Sequence, residues 1–564
     1  MVPGANFKQI AINLHRIAAV LYTLCLGVVI ARGPRSYNTN DDPGMQAIAS
    51  GDFTGRPDAR WVFSDPLTSW PITLLYRVVR LPWYALFQYG LHLVAGAAIV
   101  WVLFRRRDRI GPVVLASAIL VMFVMQQRLV VLLSFTGTAF MAGFAGVALA
   151  FDTTDRRHRE SWFSGIVAAL LLISAASIRS DVVPSLLLVG GPLAFIQGRA
   201  KLPRLLAFGS VPLLATALNW LIIRIFTETP YHDYLRYNEL RGSLHATPRL
   251  SALSLDTMAE IDWSSVDLYL FSRFIYDDDR LFGVESLEVI ARASEGARGS
   301  LTSGLVLNDV VLAYPGMAVL IAISIVVTVS SRNWRVLCAQ LAIFGLVTIA
   351  MTWLAISARL PERVSLPLWL GAAIAVVLSL GMGEPREHMF TRTWKHRVPA
   401  IRIETLSIVL LFAMQYQITW GGHYGPEATR AWSAATTARY QDQIEFLASR
   451  PPGTTVVASG DALKVEGMDP LSASTVWADS AYISLGWWVF SPMFENRKMQ
   501  APTSADLTSP RDEVLTMWFG TTSETTQYNQ YLLRNYDSGS GDQGLVSLGC
   551  APLQPHTCLY NFSP

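Results

Sequence analysis

About eleven stretches of this chain are apolar over the length a helix needs to cross a bilayer. Roughly 20 such residues span about 30 Å of hydrocarbon, where every backbone N–H and C=O must be satisfied within the segment itself. The stretches cover 11–31, 84–104, 110–126, 129–150, 162–178, 182–197, 205–226, 307–330, 336–356, 365–382 and 403–420. Only 15% of the residues are charged, against roughly 25% in an ordinary soluble domain. The pattern predicts an α-helical polytopic membrane protein.

Basic residues orient the bundle. One alternating set of connections carries Arg105-Arg106-Arg107, Arg156-Arg157, Arg199 to Arg204, Arg332 to Arg335 and Arg386 to Arg402, and Lys8 falls on the same side. That side is read as cytoplasmic. The first span has no small-residue cleavage site and reads as a retained anchor. With an odd number of spans, the C-terminal tail lies outside. The net charge is +3. The basic runs are short and lack interleaved aromatics, so no nucleic-acid partner is expected.

Three outward segments are too long to be connectors: 32–83, 227–306 and 421–564. Residues 1–420 form the transmembrane domain, with the first two segments as its outer loops. In 421–564 a helical pattern over Ala428 to Leu447 precedes a turn at Pro451-Pro452-Gly453 and a strand-like run, Thr454 to Ser459. That order predicts a small extracytoplasmic α/β domain. Cys550 and Cys558 lie there, where oxidation is permitted, and are read as a disulfide pair. Cys25 and Cys338 fall inside spans and are read as packing residues.

The first outer loop carries the chemistry. Asp41 and Asp42 follow the first span by about ten residues. Asp42 directly precedes Pro43 and reads first as a helix cap, ending at Gly51 about two turns later. Asp41 is not needed for that cap and is free to act as a base on a substrate delivered by the bilayer. Its structural alternative is a solvated loop aspartate. Asp65, before Pro66, reads as a second cap. Pro66 to Leu81 has the pattern of a helix lying in the membrane interface.

Short outward turns disfavour basic residues, yet they hold Arg128, Arg179, Arg359 and Arg363. Guanidinium forks beside an outer leaflet suit a lipid-linked phosphate, although each could also snorkel to lipid headgroups. Asp181 offers Arg179 a local ion pair. Asp277-Asp278-Asp279 reads as an acidic loop or cap rather than a metal site, and His232 and His245 have no partner at a metal-ligand spacing. Nucleotide-binding, nucleophile-elbow and zinc-protease motifs do not occur.

The acidic pair in the first outer loop, the interfacial helix before the second span, the number of spans and the outward tail resemble the GT-C superfamily of membrane glycosyltransferases. Asn40-Asp-Asp-Pro-Gly-Met-Gln-Ala-Ile-Ala-Ser-Gly51, Arg236-Tyr-Asn-Glu-Leu-Arg241 and Ser265-Val-Asp-Leu268 resemble a group of bacterial multi-span proteins. The resemblance implies transfer of a sugar from a polyprenyl-phosphate donor to an envelope glycan or glycolipid, in a bacterial cell membrane. It implies Asp41, with Asp42, as the catalytic acidic pair. Arg179, Arg359 and Arg363 are the candidates for holding the donor phosphate. Asn238, Arg241 and Asp267 are candidate acceptor or loop contacts. Some members of the superfamily use a divalent cation and others do not, and this sequence leaves that open. The rival readings are an O-antigen ligase or polymerase type enzyme, which would not depend on an aspartate after the first span, a lipid-linked glycan flippase, and a structural envelope protein. Internal repeats and broken helices of the transporter kind are not visible.

Overall fold

The computed structural model describes residues 4–563 except 155–159, 247–249, 251–252, 276–277, 295–313, 358–359, 383–424, 451–453, 460–461, 480–481, 495–515 and 537–543. Among the described residues, eight helices are long and apolar enough to cross a membrane and two more are apolar but shorter. The eleventh expected stretch, 403–420, lies outside the described residues, as do Arg386 to Arg402, Arg156-Arg157, Asp277 and Pro451-Pro452-Gly453.

The bundle comprises α1 (Gly4–Arg32), α4 (Trp83–Arg105), α5 (Pro112–Val131), α6 (Phe135–Thr154), α7 (Glu160–Ile178), α8 (Val183–Gln197), α9 (Leu202–Phe226), α11 (Pro315–Ser330), α12 (Trp334–Ser357) and α13 (Glu362–Leu380). Between α1 and α4 lie β1 (Ser36–Tyr37), α2 (Asp41–Ser50) and α3 (Pro66–Val78). Strand β2 (Leu132–Leu133) joins α5 to α6, and α10 (Thr229–Ala246) follows α9. Helix α6 is the central one, packed on α4, α7 and α13. Small residues permit this. A Cβ on Gly143 would meet Leu186, one on Gly146 would meet Leu172, and one on Gly371 would overlap Phe144. Close approach through small residues is the usual means of packing helices in lipid. Cys25 and Cys338 do not pack against protein as expected. Both are exposed on the outside of the bundle.

The tail contains α14 (Pro426–Ala448), β3 (Thr455–Ala458), β4 (Tyr482–Ser484), β5 (Thr516–Thr521), α15 (Thr522–Tyr536), β6 (Gly544–Ala551) and β7 (Gln554–Ser563). Its strands form one sheet in the order β4-β3-β5-β7-β6. The first three are mutually parallel, and β7 runs antiparallel to both β5 and β6. Cys550 faces Cys558 across the β6–β7 pair and is bonded to it.

The tail sits on the end of the bundle that carries the first loop. Arg35 makes a bidentate pair with Asp469 at 3.0 and 2.8 Å. The buried Asp52 carboxylate accepts from the Thr475 backbone N–H at 2.8 Å and from Arg80 at 2.6 Å. Phe53 packs among Trp477, Trp488 and Phe494. Gly44 allows α2 to lie against Trp487 and Trp488, since a Cβ there would come within 3.1 and 3.2 Å of their rings.

Candidate functional site

The local fold of the acidic pair differs from its sequence reading. Helix α2 starts at Asp41, its N-cap is Asn40, and no side chain caps it. Asp42 is therefore the second helical residue and not a cap. Pro43 is the third, where a missing N–H costs nothing because the first four have no intrahelical partner. The helix runs ten residues, longer than the two turns expected. Gly51 ends it as predicted, at φ 87°, a conformation that favours glycine. The composition of α2 explains its burial. Pro43, Gly44, Ala47, Ala49 and Ser50 are small enough for the whole helix after Asp41 to be enclosed.

Asp42 is drawn inward because it has partners there. Its Oδ1 accepts from the Tyr84 hydroxyl at 2.8 Å, the Phe135 backbone N–H at 3.0 Å and the Gln88 amide at 3.3 Å. Its Oδ2 accepts from Thr39 at 3.3 Å. Phe135 opens α6, so the positive end of the central helix also points at this carboxylate. The side chain is fully buried. Burial pushes its pKa up to about 7, with the Asp41 charge adding to the rise and the bonds from Tyr84, Phe135 and Gln88 opposing it. The parallel pairing of Ser36 with Leu132 and Tyr37 with Leu133 holds the loop in register over the start of α6.

Asp41 points elsewhere. Its carboxylate faces Arg363 at 3.6 Å, with 18% and 15% of the two side chains exposed. That distance is longer than a hydrogen bond, so the pair is electrostatic. Arg179 completes the group. It donates to Thr136 at 3.1 Å, lies 5.2 Å over the Phe135 ring and reaches Asp181 at 3.4 Å. Burial pulls its pKa below the usual arginine value. Asp181 opposes that shift, Arg363 reinforces it and Asp41 also opposes it, so all three act on one guanidinium.

Three residues from far apart in the chain, Asp41, Arg179 and Arg363, thus converge at one end of the bundle. Arg359 lies outside the described residues. Arg128, expected in an open turn, is inside the last turn of α5 and buried. It pairs with Glu362, at 2.6 Å for one of the two bonds, and donates to Thr429 of α14. This clamp fixes the start of α13, and so fixes Arg363.

The proposed acceptor contacts form separate local structure. Arg241 donates to Asn238 at 2.6 Å, both within α10. Asp267 is half of a capping box with Ser264 and pairs with Arg534 of α15, so its carboxylate is committed to joining the second loop to the tail. Asp278 caps the short helix Asp279–Phe282, as the cap reading required. Asp65 occupies the N-cap position of α3 without a side-chain bond, and Asn219 of α9 takes the Leu67 N–H instead at 3.0 Å. His245 stacks on Phe271 and Phe274, and His232 meets Thr227 at 2.9 Å. Among the described residues, no group of three or more His, Cys, Asp or Glu side chains converges. Asp42 is surrounded by donors and Asp41 faces a cation, so this pair does not fit a resident divalent ion.

Sequence reading missed Tyr84, Gln88, Phe135 and Thr136. A faint signal exists in Tyr84, Gln88 and His92, which repeat every four residues and so mark one polar face on an apolar helix. Phe135 acts through its backbone and carries no such signal. An apolar groove of about 190 Å³ lies lower on the bundle, lined by Tyr314, Met317, Ile321, Ile325, Phe344 and Trp369. Trp369 is six residues along α13 from Arg363, roughly 9 Å at 1.5 Å per residue. No family model, no curated protein and no solved structure matches this chain.

Proposed function

We propose that this protein is a membrane glycosyltransferase that uses a polyprenyl-phosphate sugar. The observation that carries this reading is the meeting of Asp41 with Arg363 and Arg179 beside the ends of membrane helices. A base and two phosphate-binding cations are what transfer from a lipid phosphate requires.

In the reaction, an acceptor hydroxyl attacks the anomeric carbon of the donor sugar. The bond from that carbon to the phosphate oxygen breaks, and the lipid phosphate leaves with the electron pair. Asp41 takes the hydroxyl proton. Arg363 and Arg179 stabilise the charge on the departing phosphate, a kind of assistance commonly worth about 10²–10³ in rate per donor group. Attack opposite the leaving group inverts the anomeric centre. Holding two substrates together supplies much of the remaining acceleration. The apolar groove, lined mainly by α11 and reached by Trp369 of α13, suits the lipid tail of such a donor.

The Asp41 end is assigned to the outer face of a bacterial inner membrane, since the arginine-rich connections crowd the other end. The acceptor is an envelope glycan or glycolipid.

The test compares wild type with Asp41→Asn, each given labelled polyprenyl-phosphate sugars and an envelope extract. Transfer by wild type and loss of at least a hundredfold in a folded mutant are expected. Undiminished transfer by the mutant would remove Asp41 as base and favour the ligase type of mechanism. Absence of transfer from every donor tried would count against the enzyme reading itself.

A further inference from the structure

We propose that His92, inside the transmembrane bundle, is a positioning residue for the transfer reaction. Through Thr138 and Gln88 it aligns the donors that seat Asp42, and the seat of Asp42 aims its neighbour Asp41 at Arg363. The inference rests on the reading of Asp41 as base and adds what holds that base in place.

A chain of polar contacts joins His92 to Asp42. His92 is fully buried on α4, roughly 13 Å along the helix from Trp83 at 1.5 Å per residue. Its Nε2 lies 3.2 Å from the hydroxyl of Thr138, on α6. That hydroxyl is 2.9 Å from the side-chain carbonyl of Gln88 and 2.9 Å from the backbone carbonyl of Ser134. The Gln88 amide N–H in turn donates to Asp42 Oδ1 at 3.3 Å. The path crosses from α4 to α6, returns to α4 one turn before His92, and ends on α2.

The direction of the chain follows from what each group can do. Carbonyl oxygens only accept, so the single hydroxyl proton of Thr138 is spent on Gln88 or Ser134. Thr138 must then accept from His92, which places the ring proton on Nε2. Nδ1 keeps the lone pair, and it has no partner among the described residues. Gln88 turns its carbonyl to Thr138 and its N–H to the carboxylate. Successive donors therefore point toward Asp42, and chained hydrogen bonds polarise one another in a low dielectric. The Tyr84 hydroxyl and the Phe135 backbone N–H complete the seat at the same oxygen, at 2.8 and 3.0 Å.

His92 is also pinned from its other side. Its backbone carbonyl accepts from Gln126 of α5 at 2.7 Å, and Gln126 accepts from Tyr22 of α1 at 2.7 Å. Gly96, one turn further on, leaves room for both, since a Cβ there would come within 2.6 Å of the Tyr22 ring and 2.8 Å of the Gln126 amide. Helices α1, α4, α5 and α6 thus fix the origin of the chain. A polar side chain at that depth is costly, the more so with an unpaired ring nitrogen, and packing alone would favour an apolar residue. The benefit lies at the other end. Asp41 and Asp42 are the first two residues of α2, so any shift in the Asp42 seat moves the Asp41 carboxylate relative to Arg363.

The test uses the full-length protein in detergent, as wild type, Thr138→Val, Thr138→Ser, His92→Phe and His92→Gln. Valine matches the shape of threonine without its hydroxyl, and glutamine can place an N–H where Nε2 stands. Hydrogen exchange comes first because it needs no substrate. Amides of α2 should exchange severalfold faster in Thr138→Val and His92→Phe, while those of α15 in the tail stay unchanged. Serine at 138 and glutamine at 92 should restore the protection. In transfer assays, kcat should fall about tenfold or more in Thr138→Val with the donor KM unchanged. Joining His92→Phe to Thr138→Val should cost nothing further, because both cut one chain. Nitrogen NMR of wild type with labelled histidine should show the His92 proton on Nε2. A proton on Nδ1 would reverse the chain and overturn the proposal. Unaltered α2 exchange in Thr138→Val would do the same, as would a Thr138→Ser as impaired as Thr138→Val. If α2 loosens as expected but wild type transfers from no donor, the seat of α2 is supported and the glycosyltransferase reading is what fails.

Discussion

The two ends of the helix bundle use arginine in opposite ways. At the end away from Asp41, Arg106 donates to the carbonyls of Gly381 and Phe151 at 3.2 and 3.3 Å, and Arg109 donates to Gly381 at 3.0 Å. Those carbonyls belong to the final turns of α6 and α13, the negative ends of helices, where a cation is stabilising by about 0.3–1 kcal/mol and up to ~2 when partly buried. At the other end, Arg363 is the second residue of α13 and Arg179 immediately precedes the turn into α8. Arg363 stands at a positive helix end, where the dipole opposes it, whereas Arg179 lies at the junction where α7 ends and the turn into α8 begins. Only anions justify cations there, and Asp41, Asp181 and the Glu362–Arg128 clamp supply them. Arg106 and Arg109 thus brace helix C-termini, whereas Arg363 stands against its own helix dipole and faces Asp41.

The contrast can be broken most severely at the clamp. Arg128→Ala leaves Glu362 without its main partner in a mostly enclosed place. It should cost about 3–5 kcal/mol, seen as a large drop in unfolding midpoint and a loss of transfer together. Arg363→Met should separate the two properties. Transfer should fall about 10²–10³-fold, while stability in detergent stays within about 0.5 kcal/mol of wild type, because the residue opposes its own helix dipole. An equal loss of stability and rate would mean that Arg363 is structural. Arg106→Ala should do the reverse, lowering stability by about 1–2 kcal/mol and leaving the kcat of the folded fraction intact. The smallest effect expected is at Arg179. Its replacement by lysine keeps the charge but loses the planar fork over Phe135, and should lower kcat/KM for the lipid donor about tenfold, or roughly 1.4 kcal/mol.

Parts of this arrangement are legible in the sequence for definite reasons. Asp41 is marked by its place after the first span, and Arg179 and Arg363 by being basic in turns where basic residues are disfavoured. The helical spans follow from apolar length, and β3 from a short strand-like run after a turn. Asp42 is different. Its proline neighbour suggests a cap, and only the tertiary approach of Tyr84, Gln88 and the Phe135 backbone, 93 residues later, draws it inward. The 18-residue α10 was hidden by its polar composition, although Tyr231, Tyr234, Tyr237, Arg241 and Leu244 recur at helical spacing and are all buried. Asp267 is marked as a contact only by the resemblance of the segment Ser265 to Leu268. Its partner, Arg534, is 267 residues away. Arg128 shows that a helix can outrun its apolar stretch when a half-buried acid awaits its last turn.

Arg35 and Asp469 are separated by 434 residues. At a ribosomal pace of about 5–20 residues per second, the first loop is made roughly 20–90 s before the segment that covers it. Throughout that interval α2 has its acidic pair but not the Trp487 and Trp488 wall, nor Thr475 for Asp52, nor Thr429 for Arg128. The oldest part of the nascent chain is finished by its youngest, so a protein cut short in translation would carry the acids without the walls that close over their helix.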